Sequence, residues 1–151
     1  MAELFHILDR TVMRLQNGPV NRTFSNGTFT VIDVWNDVVM QGTSTTASTV
    51  TNSLTFAKAG FYEVTFGFNC SFQGQEELAV YAYVNGIQDT SGFVTIQGAG
   101  SGRPVELWWS PVIAVQAGWV VDLRATNIDS GSVEVAFNNA QYRSLFAGDI
   151  P

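Results

Sequence analysis

Between Tyr62 and Phe72 every second residue is apolar: Tyr62, Val64, Phe66, Phe68, Cys70 and Phe72, with Glu63, Thr65, Gly67, Asn69 and Ser71 between them. Side chains on a strand alternate between its two faces, so this period predicts one long strand with an aromatic side and a polar side. It opens at a turn signal, Lys58-Ala59-Gly60. A strand with this many aromatics on one side requires a second sheet to cover it. Shorter runs of the same kind flank it. Thr28 to Val34, Val38 to Gln41, and Leu54 with Phe56 precede it. After it, Leu78, Val80, Ala82 and Val84 alternate with Ala79, Tyr81 and Tyr83, leading into the hairpin signal Asn85-Gly86. Val105, Leu107 and Trp109 alternate with Glu106, Trp108 and Ser110, and Val112–Val115, Trp119–Leu123, Val133–Phe137 and Tyr142–Phe146 follow. Roughly eight to ten strands with frequent turn signals predict an all-β sandwich or barrel.

Residues 2–16 follow a different period. Leu4, Leu8, Val12 and Leu15 recur at helical spacing with Phe5 beside them, while His6, Asp9, Arg10 and Arg14 lie on the other side. Gly18-Pro19 ends the pattern. This predicts a short amphipathic helix or arm within an N-terminal region 1–24, ahead of a β domain over 25–151. Met13 sits on the polar side of such a helix and runs against it. A helix this short gains order only by docking on something.

Composition narrows the chemistry. Only 13% of the 151 residues are charged, and the net charge is −6, which excludes a phosphate-neutralising nucleic-acid binder. The arm carries Arg10, Arg14 and Arg22 against Glu3 and Asp9, so the mild basicity of one end contrasts with an acidic body. Cys70 is the single cysteine and His6 the single histidine. An intrachain disulfide framework, a histidine-based catalytic pair within the body and a histidine metal site are thereby excluded. Cys70, on the aromatic side of its strand, reads as a buried small hydrophobe. Loop acids such as Glu76, Glu77, Asp89 and Asp129 allow a calcium site, although solvated carboxylates account for them as well. Nothing selects two carboxylates as a glycosidase pair, and the Gly98–Gly102 loop lacks the Lys-Ser/Thr that a phosphate cradle needs. We therefore expect no catalytic residues, cofactor or metal. The first residues lack the basic start and sustained apolar run of an export signal, and no apolar run reaches membrane-span length, so synthesis and assembly in a cytoplasm are expected.

Four stretches carry a resemblance. Phe56 to Phe66 (FAKAGFYEVTF), Leu78 to Gly86 (LAVYAYVNG), Ser110 to Leu123 (SPVIAVQAGWVVDL), and Gly131 to Phe137 followed by Tyr142 to Phe146 resemble the jelly roll shared by tumour necrosis factor and the globular heads of complement-type collagenous proteins. The resemblance implies an antiparallel jelly-roll sandwich that assembles as a homotrimer. Tyr81, Tyr83 and Trp108 are the candidates for its subunit-facing set, since their strands carry apolar residues on both sides. Small jelly rolls of this kind occur as decoration, or cement, proteins of tailed bacteriophages, and the chain is similar to these. That likeness implies a structural protein on the capsid exterior that binds the major capsid protein. Leu4, Phe5, Leu8, Val12 and Leu15 would be the apolar anchors of a capsid-binding arm, with Arg10 and Arg14 meeting capsid carboxylates. The alternatives are an arm folded back on its own trimer and, for the whole chain, a fibre-tip or receptor-binding head. No membrane or nucleic-acid partner is implied.

Overall fold

The computed structural model describes residues 9–89 and 92–151. In chain order the strands are β1 (Arg10–Arg14), β2 (Val20–Ser25), β3 (Thr30–Val31), β4 (Asp37–Met40), β5 (Thr45–Ser48), β6 (Ser53–Phe56) and β7 (Gly60–Phe72). There follow β8 (Glu77–Val84), β9 (Ile87–Gln88), β10 (Val94–Gln97), β11 (Pro104–Trp109), β12 (Val112–Val115), β13 (Val120–Asn127) and β14 (Ser132–Gly148). The described residues contain no helix. Two antiparallel sheets face each other as a jelly-roll-like sandwich. The first has the order β11-β7-β14-β1-β4, with β12 beside β7 and β2 beside β14. The second has the order β10-β8-β13-β6-β5, with β3 beside β13 and β9 beside β8.

The alternation in β7 does what its sequence predicts. Tyr62, Val64, Phe66, Phe68, Cys70 and Phe72 all point into the core and are buried. Leu54, Phe56, Leu78, Val80, Val121, Leu123 and Ala125 meet them from the second sheet. The neighbouring strand β14 runs 17 residues and keeps contact with β7 through a bulge. Val133, Val135 and Phe137 are buried before it, and Ala140, Tyr142, Ser144 and Phe146 after it. One extra residue at Asn138 shifts the inward phase by one position, the local signature of a β-bulge. The Tyr142 hydroxyl donates across the core to the Val121 carbonyl at 3.1 Å, joining the two sheets. Trp35 is buried between Phe68 and Tyr142.

The N-terminal region departs from the predicted helix. Arg10–Arg14 is a strand inserted between β14 and β4. Thr11, Met13 and Leu15 point inward and are buried. The period of two fits this segment better than helical spacing does, because it moves Met13 from a polar face into the core. Two open strand edges supply the backbone partners, which is how tertiary context overrides a weak local preference. The Asp9 carboxylate fixes the entry to β1: it accepts the Thr43 and Ser44 amides at 3.1 and 3.0 Å and the Ser44 hydroxyl. Thr11 adds a hydroxyl bond to the Thr45 carbonyl at 2.8 Å and accepts the Gly42 amide. Phe24 in β2 is also buried, so residues 10–24, assigned to the arm from sequence, are part of the sandwich.

Candidate interaction surfaces

The outer faces of the two sheets hold the exposed side chains able to recognise a partner. On the first sheet, strand register places the outward residues of β7 beside those of β14, β1, β11 and β12. Glu63 pairs with Leu145, Thr65 with Arg143, and Gly67 with Gln141. Those β14 residues in turn face Arg10, Val12 and Arg14 of β1. From the other side Trp108 lies opposite Gly67, Glu106 opposite Asn69, and Val112 opposite Glu63.

Trp108 is the centre of this face. Its side chain is exposed, at 59%, and its ring rests on Gly67. A Cβ built on Gly67 would fall 2.2–2.5 Å from three ring atoms, so only glycine leaves room for the indole there. A polar ladder runs beside it. Asn69 Nδ2 donates to Glu106 Oε1 at 3.2 Å, and Asn138 Nδ2 donates to Asn69 Oδ1 and Ser71 Oγ, both at 3.1 Å. Clefts of about 460 and 110 Å³ flank the indole; Asn139 lines both. Phe61 and Val112 are exposed farther along the same face. Sequence reading assigned Glu63, Thr65, Asn69 and Ser71 a polar face; the structure adds that this face has an aromatic centre. Phe61 was detectable in the sequence as an aromatic in the polar phase of the alternation.

The outer face of the second sheet carries a separate aromatic cluster. Tyr81 stacks on Phe93 at 5.0 Å between centroids and meets Phe29 edge-on at 5.5 Å. Beside it, Arg124 makes two bonds to Asp122, at 2.7 and 3.2 Å, and lies 4.2 Å over the Tyr83 ring. The Asp122 hydrogen bond is the main cause holding Arg124 above its ordinary pKa. Phe29 and Phe93 were not singled out from sequence as site residues, because only the fold brings them to Tyr81.

The predicted subunit-facing set is therefore divided. Trp108 lies on the outer face of the first sheet, Tyr81 and Tyr83 on that of the second, and Tyr83 is itself buried beneath Arg124. Because opposite faces of a sandwich do not meet one flat contact, the three do not form a single patch. The predicted arm is divided as well. Leu4, Phe5 and Leu8 lie outside the described residues. Val12 and Leu15 are buried in the fold and are not open anchors. Arg14 pairs with Asp37 at 2.9 Å, and Arg10 is half-buried on the first sheet's outer face.

Cys70 lies in the core, and burial pushes its thiol up to about 12, so it remains a protonated, unreactive core group. Among the described residues no group of three His, Cys, Asp or Glu is placed to hold a metal ion, and no helix is long and apolar enough to cross a membrane.

No family model matches the sequence, and no curated protein matches it. Solved structures do match the fold. A tumour necrosis factor structure, Eiger from S. frugiperda, superimposes with a TM-score of 0.70 at 12% identity, covering 94% of this chain and 94% of that one. The globular domain of a zebrafish complement 1qA protein superimposes with a TM-score of 0.59 at 12% identity, covering 93% of this chain and 98% of that one. The sandwich thus has the fold of tumour necrosis factor and complement globular domains.

Proposed function

We propose that this chain is a non-enzymatic structural protein. In this reading it forms a homotrimer closed over the outer face of the first sheet and decorates the exterior of a tailed-bacteriophage head, bound to the major capsid protein. The observation that carries self-assembly is the exposed aromatic centre of that face: Trp108 on Gly67, with Phe61 and Val112 in the same plane. Exposed aromatics of this kind anchor protein contacts. The low charge and acidic balance favour a protein partner over nucleic acid. The capsid assignment extends the resemblance read from the sequence; the solved structures carry the fold alone. Cementing would be adhesion without turnover, in which three modest contacts on one particle act together and multiply their affinities.

Two measurements test this reading. Native mass spectrometry at micromolar concentration is expected to give three chains, and a monomer there overturns self-assembly. Electron microscopy of labelled particles is expected to place the protein over the head shell. Label confined to a tail tip would favour the alternative, a receptor-binding head using the open Phe29–Tyr81–Phe93 cluster on the second sheet.

A further inference from the structure

The edge strand β4 has no function in the reading above. Among the described residues it pairs with β1 alone, so its other edge offers unpaired backbone groups. Its three apolar residues are all open: Val38 is 37% exposed, Val39 49% and Met40 48%. Neither lysine nor proline interrupts it, and Asp37, the one charge in it, is engaged by Arg14. Edges of this type attract another strand unless they are guarded or covered.

Residues 1–8, Met-Ala-Glu-Leu-Phe-His-Ile-Leu, are rich in apolar side chains and lead directly into β1. Eight extended residues reach about 26 Å, about twice the length of a four-residue strand. The chain leaves this segment at Asp9, which is pinned to Thr43 and Ser44. Gly42 packs so closely on Asp9 and Arg10 that even a Cβ on it would lie 2.6 Å from the Asp9 carboxylate and 3.0 Å from the Arg10 nitrogen. To reach the open edge of its own chain the segment has to turn back around residues 42–44, which pack against Asp9 at the end of β4. The open edge of a second copy requires no such turn.

We infer that residues 1–8 of one copy add as a strand to the free edge of β4 in a neighbouring copy, with Leu4, Phe5 and Ile7 against Val38, Val39 and Met40. Main-chain hydrogen bonds supply the affinity in such strand addition, and the alternating side chains set the register. The contact is heterologous, head to tail, and closes when a ring of subunits each gives one segment and receives one. The inference rests on the self-assembly reading and assigns the N-terminal segment to a neighbouring subunit.

The test is disulfide trapping in the full-length protein. Val39→Cys is combined in the same chain with Leu4→Cys, Phe5→Cys or Ile7→Cys, three pairs that sample the register. Each is oxidised and run on a denaturing gel, with each single-cysteine variant as control; buried Cys70 does not compete. Exchange is expected to give covalent multimers in at least one pair, at least tenfold above both controls. A product that stays monomeric with an internal disulfide overturns the inference, since the segment then covers its own edge. No multimer above the controls in all three pairs also overturns it. Native mass spectrometry of the unoxidised parent separates the two readings: three chains without trapping leaves self-assembly standing and removes only the exchange, whereas a monomer removes both.

Discussion

Gly67 gives the sharpest test of the proposed subunit face. Replacing it with alanine puts a methyl group where the Trp108 ring rests, at 2.2–2.5 Å from three ring atoms. Because Trp108 is 59% exposed, the indole has solvent to move into, and the cost to the isolated fold is small. The new Cβ also restricts the unfolded chain, a gain of about 0.4–1 kcal/mol where the backbone tolerates it. Gly67 is not among the positive-φ glycines, so that gain applies. Chain stability is expected to change by less than about 1 kcal/mol.

The assembly is expected to respond much more. A tryptophan side chain presents up to about 250 Å², so about 150 Å² remains for a partner to cover. At about 25 cal/mol per Å² this is worth at most about 3–4 kcal/mol for each contact, less the cost of ordering the side chain. A net loss of about 2 kcal/mol weakens each contact roughly 30-fold. Sedimentation over a dilution series reads the dissociation of the trimer, and urea denaturation reads the stability of the chain. The double variant with Trp108→Ala completes a cycle: once the indole is gone, Gly67→Ala should add nothing further. Unchanged dissociation in Gly67→Ala, or additive effects in the double variant, would refute the placement of the trimer on this face.

Other predictions concern the core and the chain entry. Burial raises the Cys70 thiol from its ordinary 9.0 to about 12; between those values the unfolded chain has lost a proton that the folded chain keeps, so stability falls by about 1.4 kcal/mol per pH unit as pH rises. Urea midpoints at pH 9, 10 and 11 should approach this slope, and Cys70→Ala should reduce it; native Cys70 labelled stoichiometrically within minutes by a thiol reagent at pH 8 would contradict the burial. Tyr142→Phe removes the hydroxyl that bonds the Val121 carbonyl and should cost about 1–2 kcal/mol, read as a melting point lower by a few degrees; no change would mean the bond adds nothing. Asp9→Ala releases the Thr43 and Ser44 amides and should cost about 1–3 kcal/mol, with those amides exchanging hydrogen faster; equal protection in both proteins would argue against the Asp9 pin.

Sequence legibility followed how completely a segment's partners could be inferred from its own pattern. β7 was readable because six inward positions in succession are apolar, a signal that no other backbone period reproduces. The phase of β14 was readable only in halves: Val133–Phe137 and Tyr142–Phe146 each alternate, but the bulge that joins them into one strand rests on a single extra residue, Asn138, and on pairing with β7. Trp108 and Trp109 were correctly read as pointing apart, with Trp109 packed on Phe66 and Trp108 outward. Which sheet carries an outward residue depends on topology, and alternation within a strand does not contain that information. This is why Tyr81 and Trp108, alike in their own strands, lie on opposite surfaces.

The N-terminal segment failed for a related reason. Leu4, Leu8, Val12 and Leu15 satisfy a helical spacing, while Thr11, Met13 and Leu15 satisfy a strand spacing, and Leu15 belongs to both. Local pattern cannot separate the two over so few residues. Two open edges decide between them: β14 and β4 each present a ladder that β1 completes on both sides. A helix there would leave both ladders unpaired and would take Met13 out of the core. The strand also places Asp9, the first described residue, beside Gly42 at the end of β4. The same insertion removes Val12 and Leu15 from the list of open anchors, so the proposed strand exchange rests on Leu4, Phe5 and Ile7 alone.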